Sequence, residues 1–516
     1  MTDSPGLFTY DQVAFEALCS ELVRAGFSPT GDDQSSWVGQ TPASLSDLTD
    51  ATSMFVSIPV GWPLRAARLR VPGLVADHVL PSGYICLWAD DDPAQSMAIT
   101  FSALLERLDE WAIHARSGFR PEDRALDSFV LFPGRASLRA ELDVPQLIGR
   151  AVDGIIRSAY AKAGPIVTLK QKTDAEYQLQ GVVYYRDRIR SAPRSFNEFR
   201  ACLTRRQRDN LAHGLSQRRD AAENEKSGGY DFAVLVWPRY GLHDAIMLTF
   251  AGSGDQLVAS PNELAPSDIE SRRRRAGRQA PTLARKNVLV AGAGAIGGQV
   301  ALALASSGVG RMTIHDGDQL ESVNLARHVC DHYAVGYPKS LGVSLRISSA
   351  APWCRVATES FLPDFPDDLA ESIAGFDLVI DCTGIYFTTI ALAHACGERG
   401  IPFVSASLYQ GGSIARTRRQ SRDDVPLLHR HASTGFLDMP AETAGDFDGF
   451  LELGCTSPVH NAPPVSVLKA ASDATGMCLD ILTATNFFPQ EVLSVIAPLS
   501  PPFDKVGTIS LPLPPS

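Results

Sequence analysis

A glycine-rich turn between a short apolar strand and a long apolar helix is the feature that most constrains the fold of this chain. The stretch NVLVAGAGAIGGQVALALA places Gly292, Gly294 and Gly297 at the point where the helix begins. Glycine permits a tight turn and lets backbone amides approach a phosphate, which a helix N-terminus also favours. The pattern predicts a nucleotide-binding turn; the alternative is a glycine turn that only packs the helix on the sheet.

Short β-rich runs alternate with helical or turn segments from about residue 281 onward. The runs KNVLVA, RMTIHD, FDLVIDC and IPFVSAS are the strand candidates. This alternation is typical of a parallel sheet with helices on both faces. A polar insertion at residues 416–454 interrupts the pattern, and loops of that length are usually functional or disordered.

The order of the elements divides the chain into three blocks, residues 1–150, 151–280 and 281–516. The first block runs helix, strands, helix, which is an α+β pattern. The second mixes strand-like runs with a polar helical stretch near residues 198–226, and a basic run, SRRRRAGRQAPT, separates it from the third. The predicted fold class is a multidomain protein with an N-terminal α+β domain, a mixed α/β linker domain and a Rossmann-like α/β C-terminal domain.

Composition restricts the partners and the compartment. The net charge of −11 argues against nucleic acid as a general partner, because phosphate binding needs a basic face. The apolar runs are broken by glycine or too short to span a membrane, and MTDSPGLFTYDQ has no apolar signal core. Nine cysteines without paired spacing fit a reducing cytosol, and the lack of any CxxC pair argues against a four-thiolate zinc site. We therefore expect a cytoplasmic protein that binds neither membranes nor nucleic acid.

The residues after the glycine turn favour ATP over NAD. Asp316 ends the next strand, where its carboxylate can accept hydrogen bonds from the ribose of either nucleotide. Asn324, Arg327 and Lys339 follow in order, and Asp381 closes a later strand. Arg327 and Lys339 would offset negative charge that develops on an α-phosphate, and Asp381 would hold Mg²⁺. Hydride transfer needs none of these groups, so ATP and Mg²⁺ are the expected cofactors.

Together these motifs resemble the adenylation domain of ubiquitin-activating enzymes and of their bacterial relatives of the ThiF/MoeB type. The resemblance covers about residues 281–485 and rests on GAGAIGG, DGDQLESVNLARH, VGYPKS and DLVIDCTG. It implies that the C-terminal carboxylate of a carrier protein attacks the α-phosphate of ATP, giving an acyl-adenylate and pyrophosphate. It also implies a homodimer and an arginine upstream of the first strand, for which residues 272–278 offer candidates. The ligand set that it implies is Asp316 for the ribose, Asn324, Arg327 and Lys339 for the phosphates, and Asp381 for magnesium.

One departure from this resemblance concerns the cysteines. The sulfur-carrier members of the family usually have two CxxC pairs for zinc, whereas this chain has LELGCTSPVHNAP after the long insertion. In the ubiquitin-type members a cysteine in or near the crossover loop takes the activated carboxylate as a thioester, which implies this role for Cys455. The alternative is an ordinary loop or packed cysteine. Cys382 is a weaker candidate, because it lies at a strand end that we expect to be buried.

The N-terminal block contains the stretch DHVLPSGYICLWADDD, which resembles ubiquitin-conjugating domains in its order of a histidine turn, a glycine and ICL. The resemblance covers roughly residues 10–135 and implies Cys86 as a second thioester site, which needs only an accessible thiolate. The alternative for Cys86 is a small buried side chain. The family's His-Pro-Asn motif is reduced here to His78, Val79 and Leu80, so the asparagine expected to stabilise an oxyanion is missing.

The two resemblances together are similar to bacterial fusions of activating and conjugating enzymes, including those of antiphage (CBASS-type) systems. The sequence thus predicts an enzyme that activates a protein C-terminus with ATP, carries it as a thioester and conjugates it to a target amine. Its expected partners are a ubiquitin-like protein or equivalent carrier, the target protein and a second copy of the chain. Three alternatives stay open: a ThiF/MoeB-type adenylyltransferase without conjugation, an NAD-dependent oxidoreductase, and an N-terminal block that only binds the carrier.

Overall fold

The structure is a computed structural model with two compact units, Met1–Asp268 and Ile269–Ser516. The residues that it describes are 8–80, 82–88, 92–119, 139–149, 154–163, 166–171, 179–189, 192–223, 225–239, 242–440 and 462–512. The predicted division into three blocks stays a prediction. Each unit is described by itself below.

The first unit opens with a helix, a small antiparallel sheet and a second helix, which is the order that the sequence predicts. These elements are α1 Gln12–Arg24, β1 Ser28–Pro29, β2 Ser36–Gln40, β3 Ser53–Ser57, β4 Arg68–Arg70 and α2 Phe101–Ser117. The four strands pair in chain order. Asp11 and Thr100 cap the two helices by accepting backbone N–H groups of the first turn. Leu18 of α1 and Leu104 of α2 are fully buried in one core with Trp37 of β2.

In the rest of the first unit, seven strands of the described residues form a closed barrel with three helices. Its elements are β5 Arg139–Leu142, α3 Val144–Ile148, β6 Ile155–Ala163, β7 Ile166–Gln171, β8 Leu179–Tyr185, α4 Phe196–Cys202, α5 Arg205–Ser216, β9 Phe232–Arg239, β10 Leu242–Ala251 and β11 Val258–Pro266. The strand order is β10-β11-β5-β7-β6-β8-β9, so β5 belongs to the barrel although it precedes residue 151. The helical stretch predicted near residues 198–226 is too long. The helix ends at Ser216, and Arg218 forms a buried ion pair of 3.1 Å with Asp231 instead.

The second unit is an eight-stranded sheet with helices. Its elements are α6 Ile269–Arg273, α7 Ala280–Leu283, β12 Asn287–Ala291, α8 Ala295–Ser306, β13 Arg311–His315, α9 Lys339–Ala350, β14 Arg355–Glu359, α10 Pro366–Ser372, β15 Leu378–Asp381, α11 Tyr386–Arg399, β16 Phe403–Tyr409, β17 Ile414–Gln420, α12 Pro464–Thr483, β18 Glu491–Val495 and β19 Gly507–Leu511. The strand order is β14-β13-β12-β15-β16-β17-β18-β19. The first five strands in this order are parallel, which confirms the predicted parallel sheet. The last three pair antiparallel and were not predicted.

Helices cover both faces of this sheet, as the alternation of strands and helices predicts. Val288 and Val290 of β12 belong to one apolar core with residues of α8, α9 and α12. Leu289 and Ala291 face the opposite side and share a core with α10 and α11. A strand buried on both faces has a continuous apolar sequence, which is why apolar and polar residues do not alternate in NVLVA. Across the described residues, no helix combines the length and the apolarity that crossing a membrane requires.

The polar insertion predicted at residues 416–454 starts too early. Residues 416–420 are the second half of β17, inside the sheet. The strand was not predicted because a strand with charged side chains on its inward face has no apolar pattern in the sequence. Arg416 is compatible with the sheet because its Nε donates a 2.7 Å hydrogen bond to Glu491, a residue of β18 that has no exposed surface. The segment at residues 441–461 lies outside the described residues.

Candidate nucleotide-binding site

The carboxyl ends of β12, β13 and β15 meet where the strand order of the sheet reverses. The chain leaves β12 for β13 and β14 on one side and returns to β15 on the other side. In open α/β sheets, ligands bind in the crevice at this point. The glycine turn, Asp316 and Asp381 each follow one of these three strands, so the fold brings these predicted site residues together.

The three predicted glycines have different structural roles. Gly292 has a φ of +85°, and a Cβ there would lie 2.9 Å from the backbone of Cys382. A Cβ at Gly297 would lie 1.8 Å from the carbonyl oxygen of Gly292, an overlap that no backbone tolerates. A Cβ at Gly294 would have no atom of the described residues within 4 Å outside its own turn and helix. Gly292 and Gly297 are therefore needed for packing, whereas Gly294 borders open space.

The open space beside Gly294 is at the N-terminus of α8. Gly294 is the N-cap residue of this helix, and no side chain caps it. Within the described part of the chain, the Gly294 N–H has no hydrogen-bond partner. Unpaired N–H groups and the positive end of the helix dipole make such a terminus a suitable site for a phosphate.

Asp316 connects the end of β13 to the glycine turn. Its Oδ2 accepts a hydrogen bond of 2.7 Å from the Ala293 N–H, and its Oδ1 accepts one of 2.9 Å from the Asp318 N–H. Each carboxylate oxygen has two acceptor positions, so both oxygens can also accept a ribose hydroxyl. Lys339, the first residue of α9, lies on the same side: its Nζ is 2.8 Å from the carboxylate of Asp318.

Asn324 and Arg327 lie in the connection between β13 and α9. Asn324 ends a short 3₁₀ turn, and its Oδ1 accepts a hydrogen bond of 3.1 Å from the Glu321 N–H. Its carbonyl oxygen accepts the N–H groups of Arg327 and His328 at 3.0 Å each. The Nη1 of Arg327 is 3.5 Å from the carbonyl oxygen of Ala462, just before α12. In this structure Asn324 therefore shapes the turn that carries Arg327.

His328 contacts the glycine turn directly, and sequence reasoning missed it. Its Nε2 donates a hydrogen bond of 2.7 Å to the carbonyl oxygen of Ala293, and its Nδ1 accepts one of 3.2 Å from the Cys330 N–H. Burial lowers the pKa of His328, which keeps the ring neutral with its proton on Nε2. The available signal was its position immediately after VNLAR, but a lone histidine indicates no contact by itself.

Asp381 closes β15 and is 2% exposed. Its Oδ1 accepts the N–H and hydroxyl of Thr383 at 3.0 and 2.7 Å, and its Oδ2 accepts the hydroxyl of Thr389 at 2.5 Å. Burial raises the pKa of Asp381, although these hydrogen bonds oppose the rise.

The surroundings of Asp381 fit a magnesium ion that the nucleotide brings with it. The hydrogen bonds from described residues leave one acceptor position on its Oδ2. The described residues contain no group of three or more His, Cys, Asp or Glu side chains that could hold a metal. Mg²⁺ bound mainly by phosphate oxygens and water needs only one or two carboxylates, and Asp381 would be one such carboxylate.

Arg272, one of the candidate arginines at residues 272–278, contacts the far end of α9 and not the glycine turn. The Nη2 of Arg272 donates to the carbonyl oxygen of Ser349 at 3.0 Å, near the C-terminus of α9. Lys339 is at the other end of this twelve-residue helix, about 15 Å from Ser349 along the axis at 1.5 Å per residue. Which arginine of residues 272–278 would contact a nucleotide stays an open prediction.

Cys86 lies in the first unit beside the histidine turn, as the sequence predicts. Its N–H donates a hydrogen bond of 2.7 Å to the carbonyl oxygen of His78, a residue with a φ of +60°. Ile85 and Leu87 on either side are buried in the core, whereas Cys86 is partly exposed. A strained backbone beside a partly exposed thiol is common at functional sites.

The other described cysteines are poor candidates for a thiolate. Burial raises the pKa of Cys330 to about 11 and those of Cys354 and Cys396 to about 12. Burial also raises the pKa of Cys382, which is half-buried, and those of Cys19, Cys202 and Cys478. Cys455 lies outside the described residues, so its role stays a prediction.

A family model matches the region that contains this site. The model is that of the ThiF family, and it matches residues 273–433. The match includes the glycine turn, Asp316, Lys339 and Asp381, and residues 273–433 are called the ThiF-family domain because of this match.

Several curated proteins are similar to part of this chain. The adenylyltransferase and sulfurtransferase MOCS3 of Mus musculus is 38% identical over 128 residues, which are 24% of this chain and 27% of that protein. The SAMP-activating enzyme E1 of Haloferax volcanii is 32% identical over 137 residues, which are 26% of this chain and 50% of that protein. The similarity thus spans at most half the length of these relatives.

Solved structures of the E. coli protein MccB are also similar to this chain. The structure of MccB with AMPCPP and MccA covers 48% of this chain and 71% of MccB, with 16% identity and a TM-score of 0.36. The structure of MccB with ATP covers 47% of this chain and 69% of MccB, with 17% identity and a TM-score of 0.35.

Proposed function

We propose that the ThiF-family domain binds Mg-ATP and adenylates the C-terminal carboxylate of a carrier protein. The observation that carries this proposal is the uncapped N-terminus of α8 beside open space at Gly294. Asp316 binds the glycine turn through its carboxylate and is the proposed ribose acceptor, and Arg327 and Lys339, which follow it in the chain, are the two cations of the proposed site. An NAD-dependent oxidoreductase would leave both cations without a role.

The chemistry follows from these positions. The glycine turn and the amides of α8 bind the phosphates, and Asp316 accepts hydrogen bonds from the ribose. A carrier carboxylate oxygen forms a bond to the α-phosphorus while the bond to the pyrophosphate oxygen breaks. Arg327 and Lys339 offset the negative charge that develops during this exchange. Magnesium, when bound with the nucleotide, neutralises phosphate charge, and Asp381 would hold it.

Two variants of the Lys339–Asp318 ion pair test whether Lys339 binds the phosphates, because their effects on Mg-ATP affinity should be opposite. The Lys339→Ala variant should bind Mg-ATP at least about tenfold more weakly, because one charge-assisted contact to phosphate is lost. The Asp318→Asn variant should bind Mg-ATP as well as or better than wild type, since Lys339 no longer has to leave its 2.8 Å ion pair. Calorimetric titration of both variants measures this. Equal losses in both variants would mean that the pair only stabilises the fold, and would contradict the role of Lys339.

We further propose that the activated carboxylate moves to Cys455 and then to Cys86, and that a target amine takes it from there. The Cys455 sulfur attacks the acyl-adenylate and releases AMP, and the Cys86 thiolate then exchanges one thioester for another. A target amine, such as a lysine, finally displaces the Cys86 sulfur and forms an amide. The partial exposure of Cys86 beside the strained His78 supports this step. The missing asparagine of the His-Pro-Asn motif leaves the amine step without an assigned oxyanion donor.

Cys86→Ala tests the conjugation step. In cells that produce the carrier, wild type should form thioester adducts with the carrier, which an added thiol reagent cleaves. The Cys86→Ala variant should no longer transfer the carrier to target amines. Its ATP–pyrophosphate exchange with the carrier should remain unchanged, because Cys86 is outside the ThiF-family domain. Cys19→Ala is the matched control, since Cys19 is buried in α1. Unchanged transfer in Cys86→Ala would favour the second candidate, an adenylyltransferase without conjugation, and adenylyltransferase is a name that MOCS3 of Mus musculus carries.

The proposal also includes partners and a compartment. The carrier is a ubiquitin-like protein or an equivalent protein with a free C-terminal carboxylate, and the enzyme acts as a homodimer. Large apolar side chains that the second unit exposes, such as Tyr333, Phe387 and Phe487, are the kind of surface that an interface buries. A cytoplasmic location is supported by the eight described cysteines, all of which are free thiols. An antiphage role of the fusion stays part of the proposal.

A further inference from the structure

We propose that His328 is a positioning residue that aims the N–H of Gly294 at the phosphates of the nucleotide. The inference rests on the proposed nucleotide function of the ThiF-family domain. It assigns to His328 a role that acts through the backbone, since its ring contacts the glycine turn and not the ligand.

The peptide group of Ala293 is held from two directions. Its N–H donates to Asp316 at 2.7 Å, and its carbonyl oxygen accepts from His328 Nε2 at 2.7 Å. Ala293 itself has no exposed surface, so water cannot replace either partner. Two short hydrogen bonds on one residue fix both of the peptide planes that meet at it.

The second of these planes also contains the N–H of Gly294. In a trans peptide, the carbonyl oxygen and the following N–H point to opposite sides. Because His328 binds the carbonyl oxygen on one side, the Gly294 N–H must point to the other. Apart from its own turn and helix, no atom of the described residues lies within 4 Å of a Cβ built at Gly294, so there is room for a phosphate beside this residue. His328 therefore determines the direction of one phosphate-binding amide without touching the phosphate.

The orientation of the ring depends on its neutral form, in which Nδ1 is an acceptor, although the Nε2–H donor is present in both forms. The Nδ1 of His328 accepts the Cys330 N–H at 3.2 Å, and a proton on Nδ1 would remove that acceptor. Two titratable groups act on the charge of the ring: Asp316 from the end of β13 favours its protonation, and Lys339 from α9 opposes it. The thiol of Cys330 stays neutral, because burial raises its pKa to about 11. Burial lowers the pKa of His328, so the neutral ring persists at pH 7 and is lost only as the pH falls through a value below the ordinary histidine pKa of about 6.5.

Two variants separate positioning from packing. His328→Leu should bind Mg-ATP about tenfold more weakly at pH 7.5, because the Ala293 carbonyl loses its donor and the Gly294 peptide is no longer fixed. His328→Gln should keep most of the affinity, since a glutamine amide can donate to the same oxygen. As the pH is lowered from 7.5 to 5, the affinity of wild type should fall relative to that of His328→Gln. The phosphates of ATP titrate in the same range, but their effect cancels in this ratio.

Calorimetric titration of the full chain with Mg-ATP measures these affinities, and His394→Gln, at an exposed histidine of α11, is the control. A folded His328→Leu variant with wild-type affinity would overturn the proposal. If His328→Leu does not fold, a constant affinity ratio between wild type and His328→Gln from pH 7.5 to 5 would overturn it. Failure of wild type to bind Mg-ATP at pH 7.5 would instead contradict the proposed nucleotide function.

Discussion

Replacing Gly297 with alanine is expected to destabilise the second unit by about 3 kcal/mol, because the new methyl group would overlap backbone. The added Cβ would lie 1.8 Å from the carbonyl oxygen of Gly292 and 3.0 Å from the Cβ of Cys382. Neither the turn nor the start of α8 can move away without breaking the contact with β15. Denaturant titration of the variant and wild type measures the difference, and Mg-ATP binding should be lost together with the turn.

Gly294→Ala is the matched control for this prediction. Its Cβ meets no atom of the described chain within 4 Å outside its own turn and helix, so the free energy of unfolding should change by less than about 1 kcal/mol. Mg-ATP affinity should nevertheless fall about tenfold or more, since the methyl group occupies space that the phosphate needs. Wild-type nucleotide affinity in Gly294→Ala would mean that the phosphates bind elsewhere.

Replacing Glu491 with alanine is expected to destabilise the second unit by about 3–5 kcal/mol, because it leaves buried guanidinium groups without their counter-charge. Glu491 has no exposed surface; one oxygen binds Arg416 Nε at 2.7 Å and the other lies 3.5 Å from Arg430 Nη1. Burial already lowers the pKa of Arg430 to about 10, which still leaves it charged at neutral pH. Denaturant titration at pH 7 should show the loss.

Glu398→Ala provides the control at an exposed pair. Glu398 lies 3.6 Å from His394 on α11, and both side chains are more than 60% exposed. Exposed pairs contribute little, so this variant should differ from wild type by less than about 0.5 kcal/mol. A similar small effect in Glu491→Ala would show that the guanidinium groups find water or another partner when the carboxylate is removed.

The parallel half of the second unit could be predicted from the sequence because its strands are buried on both faces. NVLVA and DLVID are continuous apolar runs, and they end in the residues that form the site. The antiparallel half could not be predicted in the same way. Arg416 and Arg418 lie inside β17, where Glu491 from a distant part of the chain compensates the charge of Arg416. A pairing across such a distance leaves no local pattern.

The candidate site shows the same difference between local and tertiary information. The turn, Asp316 and Lys339 are recognisable because each has a fixed place next to a strand or helix end. His328 was missed because its contact with Ala293 depends on how the connection after β13 folds back. The open space at Gly294 likewise follows from the backbone conformation and not from the glycine itself. The barrel of the first unit carried no chemical signal, and its closure depends on strand pairs distant in the chain.

The central claim is that the glycine turn binds ATP, and one titration tests it most directly. The thermal midpoint of the wild-type chain is measured against increasing Mg-ATP and, separately, against NAD and NADH. A ligand that binds only the folded state raises the midpoint with its concentration. Mg-ATP should raise it and Asp381→Ala should lose that rise, whereas NAD and NADH should have no effect. Stabilisation by NAD or NADH but not by Mg-ATP would contradict the account and favour an oxidoreductase.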